Sequence, residues 1–264
     1  MRRTRDWVSK TDMTQYVRCP YAFWLLDKGQ IDPADIIDEP QRQRLLEGHA
    51  FEEHAVKEIS QASTTPIAVA PDRKQVGRLL RDDIRLLGTP DFDNPTLKLY
   101  GRPDGIDVAS GALLPIEVKS HKDIQRIDEL ELAFYWMLLE PYRTRTDVSP
   151  VGRLILRRGG HAELVQVPIR PHRFEEVLRL VEQVRRARRQ GVRPRICGCT
   201  ICSRVRRDEV QQAAIQSKDL SLIFGIARVY ARCSRTSASP PGRISCAAMC
   251  TRWPRGFGRA ATRR

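Results

Sequence analysis

The stretch from Leu97 to Lys119 constrains the fold more than any other part of the chain. Leu97-Lys98-Leu99-Tyr100-Gly101 alternates, Arg102-Pro103-Asp104-Gly105 turns or bulges, and Ile106-Asp107-Val108 resumes the alternation. Ser110-Gly111 is a tight hairpin signal, and Leu113-Leu114-Pro115-Ile116-Glu117-Val118-Lys119 is the next strand. This period of two predicts a three-strand meander. Glu117 and Lys119, two residues apart, then share one face of the sheet, and pairing through the hairpin brings Asp104 near Glu117.

The flanks read as helix. One helix is predicted over about 11–28, capped by Thr11, with an apolar side of Met13, Tyr16, Val17, Tyr21, Phe23, Trp24 and Leu25 and a break at Cys19-Pro20. A second covers about 40–61, and a third, polar one covers 74–87. After the meander come a helix at about 126–140, strands at 151–157 and 162–168 joined by Gly159-Gly160, and a helix from Pro171 to about Gln190 that ends in Arg185, Arg186, Arg188 and Arg189. The order predicts a mixed α/β layer architecture. Segment 191–207 reads as a Cys- and Arg-rich loop, 208–231 as one or two short helices, and 232–264 as a disordered basic tail.

Charge narrows the partners. The 264 residues carry a net charge of +14, but residues 228–264 hold nine Arg and no Lys, Asp or Glu, so the rest carries only +5. The sign favours polyanions, nucleic acid ahead of an anionic membrane surface. No apolar run approaches the roughly 18–20 residues of a membrane helix, so no membrane partner is expected. Met1-Arg2-Arg3-Thr4-Arg5-Asp6 leads into no apolar stretch, which argues against a secretory signal and makes the cytoplasm the expected location. Seven Cys in a cytoplasmic chain read as a metal site or as free thiols rather than a disulfide framework.

Two clusters carry chemistry. Asp104 and Glu117 beside Lys119 suit a hard divalent cation, Mg²⁺ or Mn²⁺, which polarises a phosphodiester and activates water. The bland reading is a half-exposed strand whose two charges face solvent, and a turn aspartate. Cys197-Gly198-Cys199-Thr200-Ile201-Cys202 places three thiols in six residues, a density typical of metal ligation, and one short of a tetrahedral site.

The combination in order has a family likeness. Gly101-Arg102-Pro103-Asp104-Gly105, then Pro115-Ile116-Glu117-Val118-Lys119, then Glu131-Leu132-Ala133-Phe134-Tyr135 resembles the RecB-like branch of the PD-(D/E)xK nuclease superfamily. Within it, the chain is most similar to the CRISPR-associated exonucleases that carry an iron–sulfur cluster. The resemblance covers about residues 12–225 and implies a restriction-endonuclease-like core, a central mixed sheet flanked by helices. It implies that Asp104 and Glu117 are metal ligands, that Lys119 is the catalytic lysine, and that Glu131 and Tyr135 support the scissile phosphate from one helix face. The family's helix motif usually begins with Gln where this chain has Glu131. An early helix motif, usually Gly-x-x-x-His with the His a metal ligand, falls on Gly48 and Glu52, which implies a carboxylate ligand at Glu52; His49, on roughly the same side, is the other metal-ligand candidate, and Glu53 and His54 are further ones.

The resemblance also gives the three late thiols a fourth. An early Cys before Pro, here Cys19, would join Cys197, Cys199 and Cys202 around a structural [4Fe-4S] cluster that staples the two ends of the nuclease core. This chain spaces the late three as C-x-C-x₂-C where many relatives have C-x₂-C-x₅-C, and four thiolates equally suit Zn²⁺. Lys218 to Ala227 is similar to the start of a helix-hairpin-helix element. The expected domains are thus a nuclease domain with its Cys-rich staple over 1–207, a partial helix-hairpin-helix over 208–231 and the tail. The expected activity is metal-dependent hydrolysis of DNA, single strands or ends, in DNA repair or CRISPR-type defence, with repair or CRISPR-associated proteins as partners. Arginines of 179–207 are expected to track the DNA backbone. The alternative is a non-catalytic nucleic-acid-binding module or assembly subunit that keeps the fold.

Overall fold

The computed structural model describes residues 4–109, 112–143, 148–190, 193–197 and 199–209, with 212 and 216. The chain divides into two compact units, Met1–Arg195 and Ile196–Arg264.

The first unit opens with β1 (Val8–Ser9), α1 (Lys10–Arg18) and α2 (Pro20–Asp27). The expected single helix is two. Cys19 takes an extended conformation between them, which frees Pro20 to begin α2 where its missing N–H costs nothing. The cap of α1 is Ser9 rather than Thr11: the Ser9 hydroxyl accepts from the Asp12 N–H at 3.0 Å, and the Asp12 carboxylate accepts from the Ser9 N–H at 2.8 Å. Helix α3 (Glu39–Ala62) follows, then β2 (Ile67–Val69), α4 (Arg73–Arg81), β3 (Arg85–Leu87), β4 (Phe92–Asn94), β5 (Leu99–Gly101), β6 (Gly105–Ala109), β7 (Ala112–Lys119), α5 (Arg126–Leu138), β8 (Val151–Arg158), β9 (His161–Pro168) and α6 (Pro171–Gln190).

Two mixed sheets result. The larger has the order β2-β3-β6-β7-β8-β9, and the smaller has the order β1-β5-β4. Strands β6 and β7 form the expected antiparallel pair, closing at Ala109↔Ala112; Ser110 and Gly111 themselves lie outside the described residues. The first strand of the expected meander is elsewhere. β5 pairs with β1 and β4, and the neighbour of β6 is β3. Segment 82–87, read as the end of a polar helix, instead leaves α4 through Asp83 at φ 55° and becomes β3, whose Leu86 and Leu87 are fully buried. The two-residue loop between β8 and β9 requires left-handed backbone, and Gly159 (φ 58°) and Gly160 (φ 89°) supply it.

The core lies between the sheets and α5, which buries Leu130, Leu132, Phe134, Tyr135 and Leu138. Helix α3 packs Phe51 and Ala55 against Leu87, Ile116 and Ile155 in a second apolar cluster. Helix α6 holds the N-terminal segment with arginine. Arg188 pairs with Asp12 and with Asp27 and donates to the Trp7 carbonyl at 2.8 Å; Arg185 donates to the Asp6 carbonyl at 2.9 Å and Arg189 to the Asp6 carboxylate at 2.9 Å. These three arginines, expected to follow a nucleic-acid backbone, are spent on the fold.

The described part of the second unit contains α7 (Thr200–Val205), a short helix within the segment expected to be a loop. Residues 217–264, with the predicted helix-hairpin-helix and the basic tail, lie outside the described residues. Among the described residues no helix is long and apolar enough to cross a membrane.

Candidate metal centre

Asp104 stands just before β6, and its Oδ2 accepts from the Val118 N–H of β7 at 2.8 Å. That bond fixes Asp104 beside the strand that carries Glu117 and Lys119. The two-residue periodicity holds: Lys119 Nζ donates to Glu117 Oε2 at 2.9 Å. Lys119 also donates to the Glu131 carboxylate, which α5 brings to the same point. Glu117 is fully buried, with 0% exposure, and its Oε1 has no hydrogen-bond partner among the described residues.

A second lysine completes the cluster. Lys10, the first residue of α1, donates to the same Glu117 Oε2 at 2.9 Å and lies 3.7 Å from Glu131. Its ammonium is 5.3 Å from the centroid of the Tyr135 ring, a cation–π contact. Sequence reading missed Lys10, because parallel pairing of β1 with β5 and the packing of α1 deliver it from 107 residues away. No local pattern marks that approach.

The cluster shifts its own protonation equilibria. Burial, then the charge of Glu117, raises the Asp104 carboxyl to about 7. Burial also pushes Glu131 up, again with Glu117 next in size. Burial acts in the same direction on Glu117, but Lys119 and Lys10 together hold it below the ordinary carboxylate range. Both lysines lose stability as cations through burial and regain more from Glu117 and Glu131, so both stay protonated above the usual lysine range.

The Tyr135 hydroxyl donates to the Arg102 carbonyl at 2.9 Å, and burial followed by the surrounding carboxylates raises its pKa. Glu52 and His49 face each other on α3 at 3.8 Å, and His49 is 74% exposed. Gly48 of α3 lies near the end of β7, where a Cβ would make an ordinary contact with the Ser120 hydroxyl at 3.9 Å. The Glu52 charge reaches Asp104 through space and raises its pKa, but no hydrogen bond or ion pair among the described residues ties Glu52 or His49 to Asp104 or Glu117. Glu53 and His54 are exposed, and His54 pairs with Glu58 at 3.3 Å.

The second cluster is sulfur. Cys19 caps α2, accepting from the Ala22 N–H at 3.3 Å. Cys199 caps α7, accepting from the Cys202 N–H at 3.4 Å; Cys197 Sγ lies 3.3 Å from Cys199 Sγ and 3.5 Å from Cys202 Sγ. None of the four is in a disulfide. Cys19 belongs to the first unit, and Cys197, Cys199 and Cys202 belong to the second. The three thiols of the second unit, soft donors packed this closely, suit a metal ion such as Zn²⁺ or an iron–sulfur cluster.

No family model matches the chain, and no curated protein matches it. Among solved structures, the crystal structure of SSO0001 is similar at a TM-score of 0.39 and 13% identity, over 70% of this chain and 77% of that one.

Proposed function

We propose that the chain is a divalent-metal-dependent deoxyribonuclease with a RecB-like PD-(D/E)xK core, and that Cys19 joins Cys197, Cys199 and Cys202 to hold a structural [4Fe-4S] cluster or Zn²⁺. One observation carries the nuclease reading: a fully buried carboxylate, Glu117, has one oxygen on two ammonium groups and the other bare, next to Asp104. A buried, unpartnered carboxylate oxygen is disfavoured unless a ligand completes it. The donor set, carboxylate oxygens only, suits Mg²⁺ or Mn²⁺.

Asp104 and Glu117 would hold the cation, with Glu52 near enough to add its charge. When bound, such an ion polarises a phosphodiester and lowers the pKa of its water. The chain's own groups do the rest. The backbone N–H of Val118 holds one Asp104 oxygen, so the other is the one that would serve as a ligand. Lys119, steadied by Glu131, presents an ammonium that orients water and offsets charge on the phosphate as it becomes five-coordinate. Tyr135, anchored on the Arg102 carbonyl, sets its ring beside the Lys10 ammonium.

A non-catalytic nucleic-acid-binding module is favoured by a different feature, the two lysines that neutralise Glu117. Labelled DNA incubated with Mg²⁺ or Mn²⁺ separates the two. The nuclease reading expects cleavage by the intact chain and a loss of roughly a hundredfold or more in Glu117→Gln. Salt-sensitive binding without cleavage would favour the module.

A further inference from the structure

Two lysines on one carboxylate oxygen are more than the proposed chemistry needs. Lys119 comes with the strand and is gripped by Glu131 as well as Glu117. Lys10 comes from α1, and its side chain is 22% exposed where that of Glu117 is fully covered. Asp104, Glu117 and Glu131 can bring three negative charges to the pocket, and Lys119 answers one. Lys10 supplies a second positive charge at 2.9 Å from Glu117 and 3.7 Å from Glu131. It does so at Oε2, leaving Oε1 as the bare donor. A divalent cation at Oε1 would meet two ammonium groups across one carboxylate. Of the two, Lys10 has the looser hold, the more exposed stem and a flexible four-carbon chain.

We infer that Lys10 is a tethered counter-cation, which neutralises Glu117 and Glu131 in the metal-free chain and is displaced from Glu117 when a divalent cation binds. This rests on the metal-site reading above. Displacement has a thermodynamic signature, because the affinity that Lys10 withholds returns when its charge is removed. Lys10→Met therefore binds Mn²⁺ more tightly than the unaltered chain, by roughly tenfold. It is also less heat-stable without the ion and gains more from adding it.

The test is calorimetric titration of Mn²⁺ into the full-length chain, purified with its cysteine-held metal in place, alongside Lys10→Met, Lys10→Gln and Glu117→Gln. The expected result is tighter binding in both Lys10 variants and loss of that binding in Glu117→Gln. A Lys10 variant that folds only when Mn²⁺ is present supports the inference in the same sense. Equal or weaker affinity in the Lys10 variants overturns it while the metal site stands. Binding absent from the unaltered chain and from both Lys10 variants overturns the metal site together with the inference.

Discussion

Lys10 donates to Glu117 Oε2 at 2.9 Å across 107 residues of sequence. The bond joins the first residue of α1 to the C-terminal end of β7, so the site depends on the N-terminal segment being docked. Arg188 of α6 is what docks it, through Asp12, Asp27 and the Trp7 carbonyl. The chemistry of the pocket and the packing of the N-terminus are thus one structural problem.

Arg188→Ala is expected to destabilise the chain by about 1–3 kcal/mol, since the side chain is 12% exposed and its loss takes the guanidinium from two part-buried aspartates. Thermal unfolding followed by circular dichroism checks this. A midpoint within about 1 °C of the unaltered chain would show that the arginine only decorates the surface.

Gly105→Ala is expected to be more damaging. A Cβ at this position would lie 2.7 Å from the Leu86 carbonyl oxygen and 2.8 Å from Leu87, and strand backbone cannot give way there as a flexible side chain would. A loss of about 2–4 kcal/mol, or failure to accumulate as soluble protein, is the expected outcome in a denaturant titration.

The pH dependence has a defined sign. Asp104 is raised from its ordinary value near 4 to about 7, so the folded chain holds that proton more firmly than the unfolded one. The stabilisation it gives is complete at acid pH and is lost as pH climbs through about 7. Asp104→Asn removes this loss: the metal-free variant gains on the unaltered chain between pH 5 and pH 8, whereas Mn²⁺ binding disappears from it. An unchanged gap between the two unfolding midpoints across that range would contradict the assignment.

The sulfur cluster predicts a metal content. Anaerobic purification should yield a chain carrying iron with a broad visible band, or colourless protein carrying zinc, and Cys197→Ser or Cys202→Ser should lose most of it. Full metal content in both variants would show that the thiols are not ligands.

The local parts of this fold were legible and the assembly was not. The hairpin of β6 and β7 and the helix from Pro171 to Gln190 follow from period and from proline and glycine placement. The sharing of Glu117 by Lys119 follows from a spacing of two. The partition of strands was hidden, because short alternating runs such as Leu99–Gly101 carry no mark of which sheet they join. Segment 82–87 looked helical since its charged residues precede a buried Leu86-Leu87 pair, and only pairing with β2 and β6 makes that pair a strand. The basic end of α6 looked like a binding surface because net charge does not reveal which arginines already have carboxylates.

The most direct test is digestion of end-labelled single- and double-stranded DNA by the intact chain with Mg²⁺, with Mn²⁺ and with chelator, against Glu117→Gln and Lys119→Met. Cleavage is expected to require the divalent ion and to be abolished in both variants while their unfolding curves show a folded protein. Cleavage that persists in both variants, or none in the intact chain under any of these conditions, would contradict it.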